Sequence, residues 1–336
     1  MEIRDIPKPE PGPEEVLIEM KASGLCGTDI KVGAVSPYPK PRAQVTEEER
    51  NIVCGHEPCG VVAELGSCAR NVKVGNRVIV HHYLGCGKCK YCLTGWTHMC
   101  ARGAKIMGFN APGGHEDFML SPDKACVPLP DEMSFEEGAC CACGTGTAYQ
   151  ALQRLAPSGM DTLAVFGQGP VGASVTMLAK AMGARVIAVD TVPERLELGK
   201  RLGADQIVNA SEIDPVQVIK ELTKGEMADA TLECTGVQEA RVNTLKSTKI
   251  WGRACFVGGG GTATFEMSPM IIYKQITIYG SWTFSTHVLA EAAKFIVDHK
   301  LPLKDLITHT FPLAKVGEAY KLFETGKTGK IVIVWD

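Results

Sequence analysis

The sequence predicts an α/β chain in two parts, an irregular β-rich portion followed by a doubly wound parallel sheet. Three observations carry this reading. From 16 to about 127, short β segments alternate with turns rich in Gly and Pro, and no long helical period appears. After about Cys140, apolar strand-like runs alternate with helical patterns, as in a parallel sheet covered on both faces. Within that second part, Gly167, Gly169 and Gly172 stand in the order G-x-G-x-x-G between an apolar run and a helical one. At 336 residues the chain is long enough for two domains with sizeable cores.

Taken in order, 16–20, 60–65 and 77–81 read as strands of the first part. In the second, 163–167, 184–190, 206–210, 229–234 and 253–258 read as strands with helices between them. A later strand, 275–279, leads to two amphipathic helices at 286–300 and 314–325. A last strand, 330–335, closes the chain.

The glycine turn is the most informative stretch. The run 163–166 breaks at Gly167, and a helical pattern follows with Val171, Val175, Leu178 and Met182 on one face. A second run, 186–189, ends in Asp190. Strand, tight turn, helix, strand and acid together predict a dinucleotide site at Gly167, Gly169, Pro170, Val171, Gly172 and Asp190. The helix N-terminus offers unpaired N–H groups and about half a positive charge to the phosphates. Asp190 would accept from a ribose 2′-hydroxyl and repel a 2′-phosphate, which favours NAD over NADP.

Composition narrows the classes. A net charge of -3 gives no reason to expect nucleic acid or an anionic membrane as partner. Residues 1–13 are charged and proline-rich without an apolar core, and no run approaches the ~20 apolar residues of a membrane span, so a soluble cytoplasmic protein is expected. Fourteen cysteines in a large α/β chain point to metal or redox chemistry more than to disulfides.

Cys86, Cys89, Cys92 and Cys100 follow the spacing C-x2-C-x2-C-x7-C, four thiolates in one short loop. Four soft ligands at about 2.3 Å suit tetrahedral zinc and leave no open position, so a structural zinc is expected. The iron–sulfur alternative would want its fourth cysteine after three residues, with proline following; here the gap is seven and Ala101 follows. His98, inside the loop, is expected to face solvent.

Cys26-Gly27-Thr28-Asp29, Gly55-His56-Glu57 and Cys143-Gly144-Thr145-Gly146 would each be ordinary alone. Together with the glycine turn they resemble the zinc-dependent medium-chain alcohol dehydrogenase family, over nearly the whole chain. The resemblance implies a chaperonin-10-like catalytic domain from 1–142 and 284–336, with a Rossmann domain at 143–283 between them. It implies Cys26, His56 and Cys143 as ligands of a catalytic zinc with a fourth position open, and Glu57 as a carboxylate that can approach the metal. It makes Asp29 the acid that orients His56, and Thr28 the hydroxyl that takes the substrate proton. Val257, Gly258 and Lys330 fall where the family contacts the cofactor, and Arg195 where a side chain packs along the adenosine. Dimers or tetramers, with Rossmann edges meeting, are implied as well.

The chain departs from the family in places. Lys31 replaces the histidine at the end of the proton relay, and Asn76 stands where Asp is common. Cys140 and Cys141 compete with Cys143 as third ligand; the register of the helix after Tyr149 favours Cys143, and Glu136 and Glu137 lie too far upstream. The start at Met1 lacks one strand common in relatives, so a truncated or alternative start is expected. By position His82, Tyr83, Phe109, Asn110 and 282–284 would line the substrate pocket, and 33–51 would form a rim or an exposed loop. Their polar groups favour a secondary alcohol, polyol or sugar alcohol over a plain alkyl alcohol. The rival readings are a zinc-free quinone or enoyl reductase, and a non-catalytic redox sensor that binds NAD and zinc and uses Cys54, Cys59, Cys68 and Cys126.

Overall fold

Strand β1 (Glu15–Gly24) is buried along almost its whole length because it is paired on both sides. It runs antiparallel to β2 (Pro58–Leu65), with Ser23 opposite Pro58 and Val16 opposite Leu65. The structure, a computed structural model, describes residues 2–31 and 52–335. The first sheet continues through β3 (Arg77–Val80), while the two-residue strands β4 (Tyr83–Leu84) and β5 (Lys105–Ile106) pair separately. Strand β6 (Phe118–Pro122) pairs with β1, and β7 (Cys126–Pro128) with β3.

The second sheet contains β8 (Thr162–Phe166), β9 (Arg185–Asp190), β10 (Gln206–Asn209), β11 (Ala228–Glu233), β12 (Thr248–Phe256) and β13 (Thr277–Gly280). All are parallel, in the order β10-β9-β8-β11-β12-β13. The order reverses between β8 and β11, so a crevice opens at their carboxyl ends. Strands β8 and β9 are buried over nearly every residue, as a sheet covered on both faces requires. The chain then returns to the first sheet through β14 (Ile307–Pro312) and β15 (Lys330–Val334), the latter antiparallel to β1 with Ala22 opposite Val334. Strand β14 has weak alternation and was not anticipated; its parallel pairing with β15 decides it.

One helix departs from the sequence pattern, and another carries a local distortion. The helix Pro170–Ala181 was expected to bury one face, yet every residue from 172 to 179 is buried. It is enclosed by the sheet and by the helix Gly146–Leu155, and its Gly and Ala residues permit that closeness. The helix Phe135–Cys140 opens on a capping box between Ser134 and Glu137 and then passes through a π-helical turn, Cys141–Thr145. Such a turn changes which side chains point forward. Here it turns Cys143 away from the core that takes Cys140 and Cys141.

Candidate active site

Cys26 follows directly on β1, and His56 and Glu57 directly precede β2, so the antiparallel pairing of these strands brings the two segments together. The π-helical turn supplies Cys143. The Sγ atoms of Cys26 and Cys143, a ring nitrogen of His56 and a carboxylate oxygen of Glu57 all lie within 4.8 Å of one another. Asp29 Oδ1 accepts from His56 Nδ1 at 2.7 Å and its Oδ2 from the Cys26 backbone N–H at 2.8 Å. That assigns the His56 proton to Nδ1 and leaves Nε2 as a lone pair. Two thiols, one imidazole lone pair and a nearby carboxylate are a donor set that fits a zinc-class cation. Thr28 Oγ1 lies 3.6 Å from Cys26 Sγ, at the edge of this cluster. Cys140 and Cys141 are buried in the apolar core instead, and burial pushes the Cys140 thiol up to about 12.

Lys330, expected to touch a cofactor, has its ammonium on the cluster. Nζ donates to both Glu57 oxygens, at 2.7 and 2.6 Å, and to the Leu25 carbonyl at 3.0 Å. Both side chains are 0% exposed. Burial pulls the Lys330 ammonium down, but the Glu57 charge, together with those of Cys26 and Cys140 and the hydrogen bonding to Glu57, outweighs it and holds the group above the usual lysine range.

The second cluster lies in the loop that begins after β4. The sulfurs of Cys86, Cys89, Cys92 and Cys100 are within 4.8 Å of one another, which fits a closed four-thiolate cage. Cys89 and Cys92 approach to 3.5 Å, and the Cys86 N–H points at Cys100 Sγ at 3.3 Å. His98 is a correction to the sequence reading: it is buried, its ring against Tyr83, Trp96 and Trp282. Burial lowers it to about 4, so it stays neutral. The loop around it stays largely at the surface, with Leu93 72% and Met99 46% exposed, so His98 is turned inward by its aromatic neighbours and not by burial of the loop as a whole.

At the crevice of the parallel sheet each glycine of the turn has its own constraint. Gly167 has φ +92°, and a Cβ there would come within 2.6 Å of Thr235 Cγ2. A Cβ on Gly172 would overlap the Gly167 carbonyl. Gly169 faces open space, its nearest neighbour being Arg195 Nη1 at 4.0 Å from where a Cβ would sit. Arg195 Nε is buried with no partner among the described residues. A turn with an open middle glycine, a proline-led helix behind it and an unpartnered guanidinium beside it fits a pyrophosphate-bearing dinucleotide. Asp190 sits at the end of β9, but its carboxylate already accepts from Gln168 N–H at 2.5 Å, Thr191 at 2.7 Å and Val192 at 3.0 Å. It therefore shapes the turn as well as facing the crevice. Val257 and Gly258 donate to the Glu233 carbonyl, which brings the end of β12 against the end of β11. Glu233, Thr235 and Arg241 were missed in the sequence; the available signal was Gly236 three residues after an apolar strand, a second turn resembling the first.

On the substrate side, His56 is ringed by His82 at 5.0 Å and Phe109 at 4.9 Å between ring centroids. His82 Nδ1 lies 3.1 Å from the Ala142 carbonyl and so donates to it. Tyr83 packs on His82 and Trp282, and Phe284 is fully buried behind them. Asn110 does not join this wall: it is exposed, and its Oδ1 accepts from the Ile106 N–H at 2.5 Å, closing its own turn. The expected rim at 33–51 lies outside the described residues.

Residues 12–131 match the family model of the alcohol dehydrogenase GroES-like domain, and residues 170–298 that of the zinc-binding dehydrogenase. An uncharacterized zinc-type alcohol dehydrogenase-like protein of Escherichia coli K12, YphC, is 40% identical over 99% of this chain and 95% of its own length. L-threonine 3-dehydrogenase of Rhizobium etli is 32% identical, over 99% of this chain and 94% of its own. The solved structure of an NAD-dependent alcohol dehydrogenase superposes with a TM-score of 0.84 at 29% identity, covering 99% of this chain and 95% of the other.

Proposed function

The chain belongs to the zinc-dependent medium-chain alcohol dehydrogenase family, and on that premise we propose that it transfers hydride between NAD and a secondary alcohol, polyol or sugar alcohol, giving the ketone or aldehyde. The observation that carries the reading is the convergence of Cys26, His56, Glu57 and Cys143 from three separate segments. Catalytic zinc held by Cys26, His56 and Cys143 would favour loss of the substrate hydroxyl proton, while NAD would accept the hydride. A second, structural zinc would be held by Cys86, Cys89, Cys92 and Cys100.

The chain's own residues have definable tasks. Asp29 fixes the His56 tautomer and ring orientation. Thr28, whose Oγ1 lies 3.6 Å from Cys26 Sγ, would take the substrate proton. Lys330 holds the Glu57 carboxylate in place with two charge-assisted bonds. His82, Phe109 and Phe284 wall the site and exclude water. Gly167, Gly169, Pro170, Val171 and Gly172 would cradle the pyrophosphate, Asp190 and Arg195 the adenosine end, and Val257 and Gly258 the other end.

A zinc-free reductase has no use for either donor set, and a redox sensor has no need of an open three-ligand site beside a cofactor crevice. Metal analysis together with a kinetic panel of polyols, sugar alcohols, alkyl alcohols and threonine, run with NAD and NADP, tests the proposal. About two zinc ions per chain and NADH formation with a hydroxyl-rich substrate are expected. A protein without metal, or one inert across the panel, overturns it.

We also infer a homo-oligomer. Strand β13 ends the parallel sheet, and Trp251 (74% exposed), Tyr273 (73%), Ile250 and Ile272 lie exposed on the segments flanking it. None of the fourteen cysteines is in a disulfide, and a reducing cytoplasm is the compartment we propose. Among the described residues no helix is long and apolar enough to cross a membrane.

A further inference from the structure

Arg241 is three residues into the helix Gln238–Ser247 and largely buried, a costly place for a cation without a task. Its Nη2 donates to the Gly258 carbonyl at 2.7 Å and also to the Gly260 carbonyl. Its Nε lies 3.8 Å from Glu233 Oε2, an oxygen with no hydrogen-bond partner. The other Glu233 oxygen is saturated by the Thr235 N–H and hydroxyl, both at 2.5 Å, and by the Gly236 N–H at 2.8 Å. One guanidinium thus ties the loop after β12 to the loop after β11.

A trans peptide points its carbonyl and the following N–H in opposite directions, and there are no cis peptides among the described residues. With the carbonyls of Gly258 and Gly260 held on Arg241, the N–H groups of Gly259 and Gly261 are aimed away from it. Neither donates to a backbone group among the described residues. A Cβ on Gly259 or Gly260 would meet no atom within 4 Å, while one on Gly261 would lie 3.0 Å from the Gly236 carbonyl and 3.5 Å from Arg241 Nη1, so the loop is open at 259–260 and seated at 261. We infer that Arg241 is a positioning residue: it orients the Gly259 and Gly261 N–H groups as a paired donor site for an acceptor oxygen on the nicotinamide-riboside half of the dinucleotide. The inference rests on the dinucleotide reading above. The adenosine half is served separately, at Asp190 and Arg195, on the far side of the glycine turn.

The test compares binding of NADH, followed by its fluorescence, with binding of ADP, which lacks the whole nicotinamide-riboside half, followed by calorimetry. Arg241→Met should weaken NADH about tenfold and leave ADP within about twofold, the loss of oriented hydrogen bonds at one end only. Arg241→Lys, which can still donate to both carbonyls, should recover most of the loss. Should Arg241→Met fold poorly, Gly259→Pro deletes one N–H with Arg241 intact; it should weaken NADH at least about fivefold more than Gly259→Ala does. Equal losses for NADH and ADP, or unchanged NADH affinity in Arg241→Met and Gly259→Pro, overturn the inference while leaving the dinucleotide reading in place. An unaltered protein that binds neither ligand overturns both.

Discussion

The Lys330 ammonium donates to both oxygens of Glu57 at 2.6 and 2.7 Å, across 273 residues of sequence and with neither side chain exposed. This contact joins the last strand of the chain to the residue next to His56. Removing one partner of a buried pair leaves an uncompensated charge. Lys330→Met should therefore destabilise the protein by about 3–5 kcal/mol, and Lys330→Met with Glu57→Gln should recover much of that. Urea unfolding of the single and double variants measures it; a single variant as stable as the parent would mean that Glu57 is neutral and the pair is not ionic.

The four-cysteine loop has little apolar packing of its own: Cys86, Cys89 and Cys92 are only partly buried and the helix Lys90–Leu93 buries none of its residues. A metal is the natural source of its order. Cys92→Ser should release about one of two zinc ions per chain and make the 86–100 loop sensitive to protease. Retention of both ions by this variant would contradict a four-thiolate cage.

The glycines of the turn should separate by mechanism. Gly172→Ala places a methyl group on the Gly167 carbonyl and should cost about 3 kcal/mol or more of stability. Gly169→Ala meets nothing closer than 4.0 Å and should leave the melting temperature nearly unchanged, yet weaken NADH because the methyl occupies the phosphate approach. Thermal melts and NADH titrations on the two variants check both halves; equal melting temperatures would refute the packing account.

Glu116 is pushed up to about 8, first by burial and then by the neighbouring Asp117 charge. The folded protein therefore holds this proton more tightly than the unfolded chain, whose glutamates titrate near 4.3. The sign follows: the contribution to stability is complete below the unfolded value and is lost as pH rises through about 8. Glu116→Gln should flatten the stability curve between these values and stabilise the protein near pH 8 by about 1–2 kcal/mol, allowing for its partial exposure. Denaturation at pH 5 and pH 8 reads the difference; parallel curves for parent and variant would exclude a raised Glu116.

Much of the architecture was readable because its signals are local. Apolar runs of strand length, the alternation after Cys140 and the turn at Gly167 each lie within one window of sequence, and the six parallel strands follow from them. Strand β14 escaped because a half-exposed edge strand has no strong period. His98 was misread and Asn110 was given to the pocket because exposure is not a property of a loop's composition. It depends on what the loop packs against, here Trp282 from the far part of the chain.

The amino-acid sequence alone determined which donors are present: two sets of soft ligands, a glycine turn and an acid at the end of the next strand, all encoded by residue type and short spacing. Only the tertiary structure decided how they are used. A π-helical turn selected Cys143 over Cys140 and Cys141, and β15 returning to β1 delivered Lys330 to Glu57. Helix register and long-range strand pairing set those outcomes, since both arise from packing between segments that no local window of sequence contains.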